Sequence, residues 1–263
     1  MHFTYSDYIL QGNHVLDNLS RLKELGASSV EMLMDGTCWD DADSTWDHLA
    51  PQLAQCGLRL TIHPPSCDTN LTAEMETLRD ASFSLYERAI YLAQQVGAES
   101  VVIHPGFTYS YRFDKNRAKA HAKEAIQLLS KVAKERNIRL LVENVGFGYA
   151  SLYTQEEYSH LLDDVDPIAG YLIDTGHAHI NHWCIPQLIC ATAPRLYGFH
   201  IHDNDGSCDA HLSLGNGTID WSPIFDAMKL LHDDCDYILE YSPRVKLEEL
   251  VRDCDALQQA LKK

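Results

Sequence analysis

Six apolar segments in this chain end in the same way, on a histidine or a carboxylate. They read Thr61-Ile62-His63-Pro64, Val102-Ile103-His104-Pro105, Leu141-Val142-Glu143-Asn144, Leu172-Ile173-Asp174-Thr175-Gly176-His177-Ala178-His179, Phe199-His200-Ile201-His202-Asp203 and Ile238-Leu239-Glu240-Tyr241. One such ending has an ordinary explanation, a hydrogen-bonded polar group at a strand terminus. Six consecutive segments with the same ending imply a shared site. Imidazoles and carboxylates gathered in one place leave crowded negative charge unless a cation neutralises it. Histidine plus carboxylate, without thiolate, suits Zn²⁺, Mn²⁺, Fe²⁺ or Co²⁺. The remaining histidines carry less. His14, His48, His121, His160 and His232 fall on helical stretches or their ends and read as solvent-facing. His182 reads as loop, and His2, at the start of a strand, fits either reading. Cys67, Cys184 and Cys208 stand near the same segments without paired spacing, so they read as bystanders.

The elements that must position these residues alternate regularly. Strand patterns cover 2–5, 29–34, 59–63, 100–104, 139–143, 170–174, 196–202 and 237–241. Helical periodicity covers 15–25, 74–96, 115–137, 154–162, 186–193, 223–231 and 247–261. Gly26, Gly57 and Gly97 stand where helices should stop. Strands separated by helices pair in parallel, because a parallel neighbour needs a crossover connection. Eight units in 263 residues average about 33 residues each, which suits a single-domain α/β protein with a (β/α)8 TIM barrel over 1–263. A doubly wound open sheet is the competitor. It wants a glycine-rich turn after its first strand, and Tyr5-Ser6-Asp7-Tyr8 is not one. In a barrel the strand C-termini share one mouth, so the six polar endings converge there.

Composition narrows the partners. Lys plus Arg is 21 against 38 Asp plus Glu, a formal charge of −17. A body this acidic repels polyphosphate, which disfavours nucleic acid. No apolar run approaches the ~20 residues of a membrane helix, and the first residues carry no signal-peptide pattern. Eight scattered cysteines read as free thiols of a reducing cytoplasm. Oligomeric state leaves no mark in the sequence.

Taken together, the pieces Val142-Glu143-Asn144, Ile173-Asp174-Thr175-Gly176-His177 and Asp209-Ala210-His211-Leu212-Ser213-Leu214-Gly215-Asn216-Gly217 resemble the xylose isomerase-like barrel superfamily. That group joins sugar isomerases and epimerases with endonuclease IV-type nucleases. The last piece matches the D-x-H-x-S-L-G-x-G pattern after strand seven. The resemblance implies a (β/α)8 barrel and one to three divalent ions. In the nuclease branch it implies His63, His104 and Glu143 at a first metal, with Glu143 bridging to a second. Asp174 and His200 match ligands of that second metal, Glu240 matches the strand-eight glutamate, and His177, Asp209 and His211 match the third metal's set. The epimerase branch implies one metal held by Glu143, Asp174, a strand-seven histidine and Glu240, with Glu143 and Glu240 moving protons. His200 and His202 point the same way along a strand. His200 is preferred because Gly198-Phe199-His200 matches the nuclease pattern.

Two functions follow. In the first, a divalent metal acidifies a carbon-bound proton of a hydroxy-ketone, and Glu143 and Glu240 remove and return it. The substrate is a small carbohydrate, a sugar or sugar phosphate, and Phe107, Tyr109, Tyr111, Phe147 and Trp183 are candidates to stack on it. In the second, a multinuclear zinc site hydrolyses a phosphoester, as the complete ligand set suggests. Against a DNA substrate stands the scarcity of basic residues in the mouth loops. Arg112, Lys115 and Arg244 are the available ones, and 5–11, 34–45, 63–73 and 202–216 contain no Lys or Arg. The balance of charge favours the isomerase or epimerase acting on a neutral sugar.

Overall fold

The computed structural model describes residues 1–41 and 45–262. Eight parallel strands close into a barrel in sequence order, β1 (His2–Ser6), β2 (Ser29–Leu33), β3 (Arg59–His63), β4 (Ser100–Ile103), β5 (Arg139–Glu143), β6 (Ala169–Asp174), β7 (Leu196–Ile201) and β8 (Asp236–Leu239). The ring shuts where β1 pairs with β8, Phe3 opposite Tyr237 and Tyr5 opposite Leu239. Closure excludes the open doubly wound sheet.

The outer layer is formed by α1 (Val15–Glu24), α2 (Thr45–Leu53), α3 (Glu76–Val96), α4 (Lys115–Arg136), α5 (Gln155–Ser159), α6 (Thr175–Ile180), α7 (Ile185–Thr192), α8 (Trp221–Met228) and α9 (Leu247–Ala260). Their ends follow from local chemistry. Asp114 accepts from the amides of Asn116 and Arg117 to start α4, and Thr154 with Glu157 forms a capping box on α5. Gly97 ends α3 at φ 71°, a left-handed conformation that a side chain would strain. Two helices lie outside the periodicity expected from sequence. In α2, Pro51 interrupts the pattern, although Trp46 and Leu53 are buried. The short α6 begins directly on the last residue of β6.

The barrel interior explains why the polar residues gather. Val102, Leu141, Leu172 and Ile238 form an apolar cluster. His104, Glu143, Asp174 and Glu240 each stand two residues further along the same strand directions. Side chains two apart share a face, so the polar layer rests on the apolar one. At the opposite end, Arg59 donates to both Asp236 oxygens at 2.7 and 2.9 Å and to Glu99 at 2.6 Å, tying β3 to β8. Among the described residues, no helix is long and apolar enough to cross a membrane.

Candidate metal centre

All nine residues expected at the site reach the C-terminal mouth. Glu143 is the hub. Its Oε2 lies 2.9 Å from His104 Nε2, 3.4 Å from His200 Nδ1 and 3.7 Å from His63 Nε2, and its Oε1 lies 3.3 Å from His177 Nδ1. Asp174 Oδ2 lies 3.5 Å from His177 Nδ1 and 3.9 Å from His200 Nδ1. Glu240 Oε2 lies 3.6 Å from that same His200 nitrogen. One oxygen of Asp209 joins His177 Nε2 at 3.1 Å to His211 Nε2 at 3.2 Å.

Local structure fixes these positions. Asn144 accepts from the Asp174 amide at 2.8 Å and donates to the Asp174 carbonyl at 3.0 Å, clamping β6 to β5 beside Glu143. Asp174 Oδ1 accepts from the His177 amide at 2.6 Å, so the carboxylate also caps α6. Gly176 is required by close approach, since a Cβ there would meet His202 Cε1 at 2.1 Å. After β7, Asp203 gathers the following loop. It accepts from the amides of Asn204 (2.9 Å), Gly215 (3.0 Å) and Ile219 (3.2 Å) and from Trp221 Nε1 (2.9 Å). The loop so held presents Asp209 and His211. His211 takes φ 46°, a conformation costly for a non-glycine residue, while stacking on His202 at 3.8 Å.

Among the described residues, four groups of three bring ligand atoms within 4.8 Å of one another: His63, His104 and Glu143; His63, His200 and Glu240; Glu143, Asp174 and His200; and His202, His211 and Glu240. Nδ1 of His177, His200 and His202 and Oδ1 of Asp209 are buried without a hydrogen-bond partner. Buried polar atoms left unpaired are costly. Together with the oxygen and nitrogen donor set, they fit one or more divalent cations.

Protonation follows the same crowding. Burial alone pulls an imidazole down, but here the carboxylates outweigh it. Glu143 and Glu31 push His63 up to about 9, and Asp209 and Glu240 push His211 up to about 9. His177 and His200 are raised well above the usual histidine value by Asp174 and Asp209 and by Glu240, Glu31 and Glu143 respectively. Burial opposes ionisation of Glu143 and Asp209, yet His104 and His200 hold the first, and His177 and His211 the second, well below the usual carboxylate range.

Of two further residues at the site, His202 was weighed from sequence as the alternative to His200, and Glu31 was not singled out. His202 lies 2.9 Å from Asp174 Oδ2, so His200 and His202 both face the cluster. Glu31, fully buried in β2, lies 3.2 Å from His200 Nε2. Its signal was a charge between Val30 and Met32 in a strand with no solvent face.

The cluster floors a cavity of about 330 Å³ walled by Tyr8, Gln11, Leu33, Cys67, Phe107 and Phe147, with no Lys or Arg in its lining among the described residues. Of the aromatics expected there, Phe107 and Phe147 line it. Tyr109 and Tyr111 project outward, and Trp183 packs against Tyr158. Tyr8 was not expected and sets its ring edge against His211 at 5.1 Å. Lys115 is turned away, donating to the Ser151 carbonyl at 2.6 Å.

The sequence profile described as "Xylose isomerase-like TIM barrel" matches residues 19–260. Among curated proteins, an uncharacterized protein of Methanocaldococcus jannaschii, MJ1614, is 25% identical over 172 residues, 65% of this chain and 66% of that protein. The chain thus spans just under two thirds of that relative's length. A protein named probable endonuclease 4, from Thermoplasma volcanium, is 28% identical over 164 residues, covering 57% of this chain and 56% of the relative. Among solved structures, a D-tagatose 3-epimerase-like protein superposes with TM-score 0.84 at 20% identity, covering 99% of this chain and 97% of the other. The IOLI protein, described with a binding zinc atom, superposes with TM-score 0.81 at 17% identity, covering 99% and 98%. At these identities the superpositions establish the shared fold.

Proposed function

This chain belongs to the xylose isomerase-like TIM-barrel family, and from that premise we propose that it is a divalent-metal-dependent isomerase or epimerase of a small, neutral sugar. The observation that carries the reading is the placement of Glu143 and Glu240. They come from strand ends three apart around the ring, and each lies within 3.6 Å of the same His200 nitrogen. In this reading the two carboxylates reach one substrate carbon from different sides.

Glu143, Asp174, His200 and Glu240 would hold the ion at this inner position. When bound, the ion supplies Lewis acidity that weakens the C–H bond next to a ketone. One glutamate takes that proton as the C–H bond breaks, and the other returns a proton to the same or the adjacent carbon. Phe107, Phe147 and Tyr8 provide flat apolar surface and exclude water. Among the described residues the wall offers a phosphate no guanidinium or ammonium group, which supports a neutral polyol. The structures named D-tagatose 3-epimerase-like protein and D-psicose 3-epimerase share this fold.

A second reading is a small-phosphoester hydrolase. It is favoured by His63, His104, His177, Asp209 and His211, which exceed the needs of a single ion, and by the relative named probable endonuclease 4. Turnover in D₂O separates the two. Incubating the metal-loaded protein with a panel of ketoses should place deuterium at carbon in recovered sugar. Phosphate or alcohol release from small phosphoesters, or efficient incision of abasic DNA, with no exchange across the sugars, overturns the isomerase reading.

A further inference from the structure

A metal-facing imidazole must present a lone pair, and the acceptor at its other nitrogen decides which nitrogen does so. For His63, Nδ1 lies 2.9 Å from the Pro64 carbonyl; for His211, Nδ1 lies 3.0 Å from the Glu240 carbonyl. A carbonyl can only accept, so both rings carry a hydrogen on Nδ1 and turn Nε2 inward. His200 is arranged in the opposite sense. Its Nδ1 faces Glu143, Glu240 and Asp174 at 3.4, 3.6 and 3.9 Å. Its Nε2 lies 3.2 Å from Glu31 Oε2.

Glu31 is an expensive choice for this task. It is fully buried in the middle of β2, beside Val30 and Met32, and its second oxygen has no hydrogen-bond partner. A carboxylate at such a position lowers stability relative to an apolar side chain of similar size. What it contributes, and a carbonyl does not, is a full acceptor charge on the far side of the ring.

We propose that Glu31 is a positioning residue for His200. It accepts the Nε2 hydrogen, fixes the ring with the Nδ1 lone pair toward Glu143, Asp174 and Glu240, and makes that nitrogen a stronger donor to a divalent cation. This rests on the metal-binding reading above, though not on which reaction the ion serves.

The test uses zinc, which is diamagnetic, with the full chain and its Glu31→Gln and Glu31→Leu variants. Glutamine keeps an acceptor oxygen without the charge, whereas leucine removes the acceptor. Zinc affinity should fall by about tenfold in Glu31→Gln and about a hundredfold in Glu31→Leu, the range for partners behind a metal ligand. In parallel, ¹⁵N spectra of the zinc-loaded proteins should show the His200 hydrogen on Nε2 in the wild type and in Glu31→Gln. In Glu31→Leu they should show a mixture of ring states. If Glu31→Leu fails to fold, Glu31→Gln alone carries the affinity comparison. Unchanged affinity in the variants overturns the proposal. So does weakened affinity with unchanged His200 shifts in Glu31→Leu, because that places the effect elsewhere. A wild-type chain that binds no divalent ion overturns the metal reading and this proposal together.

Discussion

Loading the metal-free protein with zinc should expel protons, and the number follows from the crowding at the mouth. His63 and His211 are both pushed up to about 9, while an ordinary histidine titrates near ~6.5. At pH 7, each of these two imidazoles therefore holds its proton by about 100 to 1, an opposition of roughly 3 kcal/mol per proton. An ion that takes both rings as ligands must displace both protons, so its apparent affinity at pH 7 falls by several orders of magnitude relative to its high-pH limit. Ordinary histidines would lower it less than about twofold. The assay is isothermal titration of zinc into chelator-stripped protein, in buffers of equal pH and different ionisation enthalpy. At least two protons should be released at pH 7, and affinity should climb steeply between pH 7 and 8.5. The same shifts fix the stability of the metal-free form. Folded values above the unfolded ~6.5 give stabilisation that is complete below that pH and lost as pH rises through about 9. The stripped protein should therefore lose thermal stability between pH 6.5 and 9, and the zinc-loaded protein should lose less. Release of less than one proton at pH 7, with a flat affinity profile, would refute the reasoning.

Other perturbations give distinct readouts. Glu143→Ala removes the carboxylate that four imidazoles approach within 3.7 Å. Elemental analysis should find the inner ion lost, and thermal unfolding of the stripped variant should show a loss of about 3–5 kcal/mol; full metal content would contradict the assignment. Glu240→Gln should slow turnover by about 10²–10⁴, with metal content measured alongside to separate proton transfer from ligand loss. Gly176→Ala drives a methyl group into the His202 ring. Zinc affinity should fall by about 10–100-fold in a protein with an unchanged far-ultraviolet spectrum, and an unaltered titration would show His202 to be idle.

Sequence showed the barrel because its signals were local and repeated. Six of the eight strand runs are largely apolar and stop at a histidine or a carboxylate, so Glu143, Asp174 and Glu240 could be placed from pattern alone. Residues whose importance depends on the opposite side of the ring were harder to see. Glu31 meets His200, 169 positions away, and nothing beside it in β2 announces that partner. The preference for His200 over His202 rested on a motif match, whereas two residues that share a face at the end of β7 both reach the mouth. Trp183 follows the strand-six motif closely, yet the turn at α6 carries it back against Tyr158. The loop after β7 was recognised by its motif. The reason for its glycines became visible only in the fold, where a Cβ on Gly217 would meet Asp203 Oδ1 at 2.2 Å.

The two oxygens of Asp174 face different worlds. One accepts the backbone amide that begins α6, and the other sits among the imidazoles. Any event that draws the carboxylate inward therefore pulls on the first turn of a six-residue helix too short to stand unaided. The His177 amide becomes a built-in gauge of the mouth. Its hydrogen-exchange rate and chemical shift would register occupancy from the main chain, without a label or a chromophore.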